Sequence, residues 1–412
     1  MTSPDNAPSR RRFLAAGAAA GAGALVGAAA GVGTERVGVL PGAPDRPDDA
    51  GVNGQRVVPF YGPHQAAIKA RPGAFASFVA LDLLPGVDRA RLASWMRLLT
   101  DDAARLTQGR AALADVEPEL AATPAGLTVT VGFGRGFVDR ARGERPDWLG
   151  PLPAFSIDRL EDRWSGGDAL LIVAADEPVT VAHALRMLLK DSRAFATIRW
   201  RQDGFRRAYG TDPSGRTMRN LFGQVDGTAN LQPGSHDFES AVTAGDDAPA
   251  WLRGGTSFVL RRITMDLDRW DAVDRVGREN TLGRTLDTGA PLTGGREHDP
   301  LDLDRKGANG LPVISSVAHA RRARVEDPAL RIVRLSYSYE DPPPAGSDAL
   351  SDTGLLFGAW QADVNRQFVP LQRALDEADL LNVWTTPVGS AVFAIPPGCR
   401  EGGYLGEALL GV

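Results

Sequence analysis

Apolar positions along this chain recur in two rhythms, and the alternation between them predicts the fold. The run Ala74 to Leu84, Ala-Phe-Ala-Ser-Phe-Val-Ala-Leu-Asp-Leu-Leu, is continuous enough for a buried strand. From Asp88 to Gln108 the spacing becomes helical, with Leu92, Trp95, Met96, Leu98, Leu99 and Leu106 on one side. Leu127 to Phe133 and Ala169 to Ala174 read as strands, Pro178 to Lys190 as a helix through Val181, Leu185 and Leu188, and Thr197 to Gln202 as a strand. This β-α-β-β-α-β order is that of a ferredoxin-like unit.

The same order recurs downstream. Thr256 to Met265 reads as a strand, Trp270 to Asn280 as a helix, Arg331 to Tyr339 and Gly354 to Gln361 as strands, Arg366 to Ala378 as a helix and Gly389 to Ile395 as the last strand. A duplicated unit of this kind predicts an α+β fold: two ferredoxin-like halves, 57–220 and 221–412, with antiparallel sheets packed together, helices outside and a pocket between sheet and helices.

The N-terminus follows neither rhythm. Ser9-Arg10-Arg11-Arg12-Phe13-Leu14 precedes an uncharged Ala/Gly run from Ala15 to Gly31, with small residues at Ala28-Ala29-Ala30. Ala and Gly are too weakly apolar for a stable membrane span, so 1–32 reads as a twin-arginine export peptide and the protein as extracellular or wall-associated. Residues 33–56, rich in Gly, Pro and Asp, read as a flexible tether, with order beginning near Val57.

Charge and cysteine usage narrow the chemistry. A formal charge of -5 and the lack of a basic stripe argue against nucleic acid as a partner. One cysteine, Cys399, excludes an internal disulfide, a Cys-rich metal site and the Cys-x-x-Cys-His attachment of c-type haem, so any cofactor is held non-covalently through nitrogen or oxygen. The Arg261-Arg262 and Arg321-Arg322 pairs read as solvated faces or clamps for an anionic ligand.

The stretch Asn220-Leu221-Phe222-Gly223-Gln224-Val225-Asp226-Gly227-Thr228-Ala229-Asn230 holds the most suggestive chemistry. Gly223 and Gly227 allow tight turns and close approach to a flat ligand, while Asp226 offers one carboxylate in an apolar setting. On its own Gly-x-x-Asp-Gly is also an ordinary turn. Five histidines are candidate ligands: His183 lies in an apolar helix, His64 looks structural, His236 and His298 look exposed, and His319 follows the apolar segment Leu311 to Ile314.

With these motifs, the chain resembles the dye-decolourising (DyP-type) haem peroxidases. The Gly-x-x-Asp-Gly turn, Val58 to Ala66, Leu127 to Gly134, Ile332 to Tyr339, Asn365 to Gln372 and Gly389 to Gly398 are similar to that family's segments, in the family's order. The resemblance implies one non-covalent haem b per chain, with His319 as the iron ligand at the family's Ala-His position. It further implies that Asp226 carries the peroxide proton, that Arg334 faces developing negative charge, and that Gly223 and Gly227 line the cofactor. Family position suggests Asn382, or another group in Asp379 to Asn382, as acceptor for the second ring nitrogen of His319. Many relatives carry Asn two residues after the arginine, where this chain has Ser336.

Hydrogen peroxide and a bulky organic or metal reductant are the implied partners, and a homo-oligomer is possible. Trp251, Trp270, Trp360, Trp384, Tyr337 and Tyr339 are candidate radical relays. A haem-handling, deferrochelatase-like protein and a haem-free binding module are the competing readings.

Overall fold

The computed structural model describes residues 53–208, 210–212 and 216–411. The expected export signal, 1–32, lies outside these. The described chain is already ordered at Asn53, where Asn53–Gln55 form a 3-10 turn and the next residue, Arg56, pairs with Asp176 at 3.2 Å.

Eight strands form: β1 (Phe75–Leu83), β2 (Thr128–Phe133), β3 (Ala169–Ala175), β4 (Ala196–Phe205), β5 (Thr256–Met265), β6 (Val333–Asp341), β7 (Asp352–Gln361) and β8 (Thr385–Ile395). Helices α1 (Arg89–Thr107), α2 (Arg135–Ala141) and α3 (Pro178–Ser192) accompany the first four strands. Later come α4 (His236–Val242), α5 (Leu267–Asp271), α6 (Arg275–Leu282), α7 (His319–Arg322), α8 (Phe368–Ala378) and α9 (Glu407–Leu410).

All pairings are antiparallel, and the order β1-β3-β2-β8-β5-β7-β6-β4 closes into a barrel. Each half contributes the ferredoxin-like order, β4-β1-β3-β2 and β8-β5-β7-β6. The halves meet edge to edge through the pairs Phe133↔Ala394 and Phe205↔Ser338. Closure removes the sheet edges that would otherwise invite aggregation.

Strand periodicity divides the core into two compartments. Alternate residues, among them Phe78, Trp200, Phe258, Tyr337, Tyr339, Trp360 and Phe393, fill the barrel interior. The opposite face of the N-terminal sheet, through Val79, Leu81, Val129, Val131, Leu171 and Val173, packs with Leu92, Trp95, Met96 and Leu99 of α1 and Leu185 and Leu188 of α3. Asp88 starts α1 by accepting from Arg91 N at 2.9 Å, and Glu177 caps α3 in the same way.

The structure departs from expectation at two places. The single helix expected over Trp270 to Asn280 is two short ones, because Asp266 and Asp274 each cap a fresh start, accepting from Arg269 N at 3.0 Å and Gly277 N at 2.7 Å. Arg261 and Arg262, read as solvated faces or clamps for an anionic ligand, are only 1% and 4% exposed. Arg261 pairs with Asp158; Arg262 lies between the rings of Trp164 and Tyr339 and pairs with Asp341 and Asp352.

Candidate active site

The site gathers on the helix side of the C-terminal sheet. Val333, Leu335, Tyr337 and Tyr339 of β6 point into the barrel, so Arg334, Ser336 and Ser338 point the other way. β7 adds Ala359, Phe357 and Leu355 opposite them, and the Phe357 ring lies 6.4 Å from Phe368 at the start of α8. Packing over this face is incomplete: Leu355, Phe357 and Leu371 are half-buried.

The Asp226 loop is shaped by its own polar groups. Asn220 Oδ1 accepts from the amides of Phe222 and Gln224, and Asn220 N donates to Gln224 O. Gly223 has φ of +77° and Gly227 +133°, values that disfavour any side chain, and these two turns hold Asp226 between them. Asp226 N donates to Met218 O at 2.8 Å. Outside the loop, Arg219 donates to the carbonyls of Gly223, Leu286 and Asp287, while Thr217 and Thr228 donate to Glu297. Asp226 is thereby fixed to a larger scaffold.

The structure brings Asp226 and Arg334 together, with Oδ1 3.0 Å from Nη1. This is an ion contact without hydrogen-bond alignment, and among the described residues Asp226 Oδ1 has no hydrogen-bond donor although Asp226 is 8% exposed. Ser336 Oγ is likewise buried and without a partner. Unsatisfied buried oxygens are costly, so their clustering beside a guanidinium marks a place built for a polar guest. Arg206, which sequence reading missed, adds a second half-buried cation: loss of solvent lowers its pKa, opposed by Tyr337 and Asp226. Its Nε lies 3.0 Å from Met218 Sδ.

His319 opens α7, which packs against α8; Arg322 from the same turn donates to Ala374 O. His319 Nδ1 lies 2.6 Å from Asp379 Oδ2. Asp379 also accepts from Leu381 N through Oδ1 at 2.9 Å and is 7% exposed, so both of its oxygens are engaged. Within the expected group Asp379 to Asn382 the acceptor is thus Asp379 and not Asn382, whose amide donates to Leu375 O at 2.9 Å instead. Asp379 is the cap of the 3-10 turn 380–383, and a buried acid at a cap is the signal that could have singled it out. With a carboxylate oxygen at Nδ1, Nε2 is the ring nitrogen left to face outward. Among the described residues nothing engages Nε2.

The other histidines are accounted for. His64 Nδ1 bonds to Gly254 O at 2.9 Å, and His183 Nε2 sits 2.8 Å from the buried Asp115. His236 is exposed at the start of α4, and His298 is exposed beside Glu297.

Haem fits this donor set. His319 supplies an unengaged imidazole nitrogen, Asp226 Oδ1 and Ser336 Oγ lack hydrogen-bond partners among the described residues, Arg334 adds a cation beside Asp226, and Leu355, Phe357 and Leu371 supply partly exposed apolar surface. Two clefts elsewhere, about 360 Å³ beside Trp148 and Asp363 and about 340 Å³ beside Trp251 and Tyr404, include none of His319, Asp226, Arg334 and Ser336.

Comparison with known proteins agrees with the geometry. The Dyp-type peroxidase N-terminal family model matches residues 65–206 and the C-terminal one matches 217–400. A dye-decolorizing peroxidase of Thermobifida fusca is 39% identical over 437 aligned positions covering 100% of both chains. A deferrochelatase of Escherichia coli O157:H7 is 33% identical, covering 86% of this chain and 87% of the other. The crystal structure of a DyP-type peroxidase from Cellulomonas bogoriensis superposes with TM-score 0.84 at 52% identity, covering 87% of this chain and 99% of that one. The chain belongs to the DyP-type haem peroxidase family. It is a peroxidase, an oxidoreductase of the α+β barrel type.

Proposed function

We propose that this peroxidase holds one non-covalent haem b through His319 Nε2, cleaves hydrogen peroxide heterolytically with Asp226 and Arg334, and oxidises dyes, phenols or other bulky reductants by one-electron steps. The single observation that carries this reading is the contact between buried Asp226 and Arg334, 3.0 Å apart, with an acid oxygen that lacks a hydrogen-bond donor among the described residues.

When bound, haem would supply the redox centre that gives two electrons to peroxide, to be replaced one at a time by the reductant. The protein's part is proton handling. The Asp226 carboxylate accepts the proton from the near peroxide oxygen and returns it to the far one, so that oxygen departs as water. Arg334 places fixed positive charge against the negative charge that grows on the departing oxygen, in a setting sheltered from solvent. Asp379 holds the His319 ring in one tautomer and makes its Nε2 a stronger donor.

Electrons from a large reductant need a path from the surface. Trp270 offers one: its ring lies 4.6 Å from Phe222 in the Asp226 loop and 5.2 Å, edge-on, from the half-exposed Trp384. Of the other candidates, Trp360, Tyr337 and Tyr339 are sealed in the barrel interior, at most 2% exposed, and Trp251 is buried in the core outside the barrel.

Rapid mixing with peroxide tests the core of this reading. The wild type should show a fast Soret change and Asp226→Asn a change slowed by roughly 100-fold or more, with haem content preserved. Slow peroxide reaction in both proteins, together with release of free iron from added haem, would favour the haem-handling alternative suggested by the deferrochelatase relatives.

Export is proposed on sequence alone. Arg10-Arg11-Arg12-Phe13-Leu14 would direct the folded, haem-loaded protein through the twin-arginine route, and a double Lys replacement at Arg10 and Arg11 should retain it in the cytoplasm.

A further inference from the structure

β6 has a strand neighbour on only one side at Arg334. On one edge Arg334 pairs with Ala359 of β7; on the other, β4 joins β6 at Phe205↔Ser338, four residues further along. The free edge at Arg334 would leave a backbone N–H and C=O without partners, in a residue that is itself only partly exposed.

Asn230 fills that gap. Its Nδ2 donates to Arg334 O at 2.9 Å, and Arg334 N donates to its Oδ1 at 2.9 Å. One carboxamide thus imitates one residue of an adjacent strand, presenting donor and acceptor in the same plane. Asn230 is also the far end of the turn that begins at Asp226: its own N donates to Gly227 O at 2.9 Å, closing 227–230 into a compact bend. The acid is therefore connected to the guanidinium residue twice, once by the 3.0 Å side-chain contact and once through the backbone clamp four residues on.

We infer that Asn230 is a positioning residue for the peroxide chemistry, locking the loop that carries Asp226 to the backbone of Arg334 so that acid and cation keep a fixed mutual register. The inference rests on the proposed roles of Asp226 and Arg334 and adds to them a device neither side chain could provide. A side-chain ion contact fixes two flexible termini. The carboxamide clamp fixes the two main chains from which those side chains project. Other residues would serve poorly: Asp lacks the donor arm, Ala lacks both, and Gln carries the amide one methylene too far.

The test uses the full-length holoprotein with Asn230→Ala and Asn230→Asp, each alone and in an Arg334→Ala background. Three quantities are measured: haem content, amide hydrogen exchange of peptides spanning 333–337, and the rate of Soret change on mixing with peroxide. Asn230→Ala should keep its haem, lose exchange protection at Arg334 and react with peroxide roughly 10- to 100-fold more slowly, the range expected when a reacting group is misplaced by about 1 Å. Asn230→Asp, which keeps the acceptor for Arg334 N, should retain more protection and fall between Ala and wild type. In the Arg334→Ala background, Asn230→Ala should cost little more, because the clamp acts through Arg334.

Lost protection with an unchanged peroxide rate overturns the inference and leaves the peroxidase reading intact. So does a rate loss of equal size in both backgrounds, which would mean general damage. If Asp226→Asn and Arg334→Ala react as fast as wild type, the peroxidase roles themselves fail, a result distinct from either.

Discussion

The two halves share a strand order and differ in what covers their sheets. On the N-terminal sheet the helix side of β1, β2 and β3 is largely apolar: Val79, Leu81, Val129, Val131, Leu171 and Val173 pack in one cluster with Leu92, Trp95, Met96 and Leu188 of α1 and α3, those four fully buried. Only β4 exposes charge, through Arg199, Arg201 and Asp203. The corresponding face of β6 carries Arg334, Ser336 and Ser338 instead. Its covering helix α8 has only Phe368 and Val369 fully buried, and the segment matching α1 is broken into α5 and α6. The repeated unit therefore has two uses. One copy spends its outer face on packing, with each buried aliphatic side chain contributing about 1.5–3 kcal/mol. The other leaves that face polar and partly open, which is where a flat cofactor and a small polar oxidant can be held.

This division predicts that damage in one half is read as lost stability and in the other as lost chemistry. The largest effect should come from Asp226→Asn, with the peroxide reaction slowed by roughly 100-fold or more and the unfolding midpoint little changed. Trp95→Ala should do the reverse. Trp95 is wholly buried between α1 and α3, its Nε1 donating to Ser192 Oγ, so its loss should cost about 3–5 kcal/mol in denaturant titration, and haem-loaded folded protein should still react. A rate loss as large in Trp95→Ala as in Asp226→Asn, measured on folded protein, would erase the distinction.

Asp379→Asn sharpens the picture on the His319 side. The amide still accepts a hydrogen bond but carries no charge, so haem affinity or the peroxide rate should fall about 10- to 100-fold. Trp384→Phe should keep the peroxide reaction and lose turnover of bulky dyes, since it alters only the surface end of the aromatic pair.

Much of this was legible in the sequence. All eight strands follow from apolar runs, and duplication follows from the repeated order, because periodicity reports directly which residues face a core. Asp226 and Arg334 were legible through the resemblance to a family. The acceptor for His319 was legible only down to Asp379 to Asn382: those two residues are three apart on one turn, and only the direction of each side chain decides between them. Asn230 was hidden for a similar reason, since its partner lies 104 residues away and its contacts are to main chain, which leaves no mark in sequence. The break between α5 and α6 was missed because Asp274 has the composition of a helix surface residue until its capping contact is seen.

A smaller effect distinguishes the halves by pH. Asp191 on α3 is pushed up to about 7, first by burial and then by the carboxylate of Asp102 on α1. A carboxyl whose folded pKa is raised binds its proton more tightly when folded, so its stabilising contribution is complete below about pH 4 and fades as pH rises towards 7. Denaturant titration at pH 5 and pH 8 should show the wild type losing stability relative to Asp191→Asn, by about 1 kcal/mol after allowing for solvent access. Equal pH dependence in the two proteins would remove this pair from the account. Smallest of all, Ser336→Ala removes a buried hydroxyl with no hydrogen-bond partner among the described residues, so stability should rise slightly, by about 0.5 kcal/mol.

The most direct test is stopped-flow mixing of haem-loaded wild type and Asp226→Asn with hydrogen peroxide, followed at the Soret band. Equal haem content with a roughly 100-fold slower change in the variant is the expected result. Equal rates in the two proteins would show that the buried acid opposite Arg334 does not carry the proton.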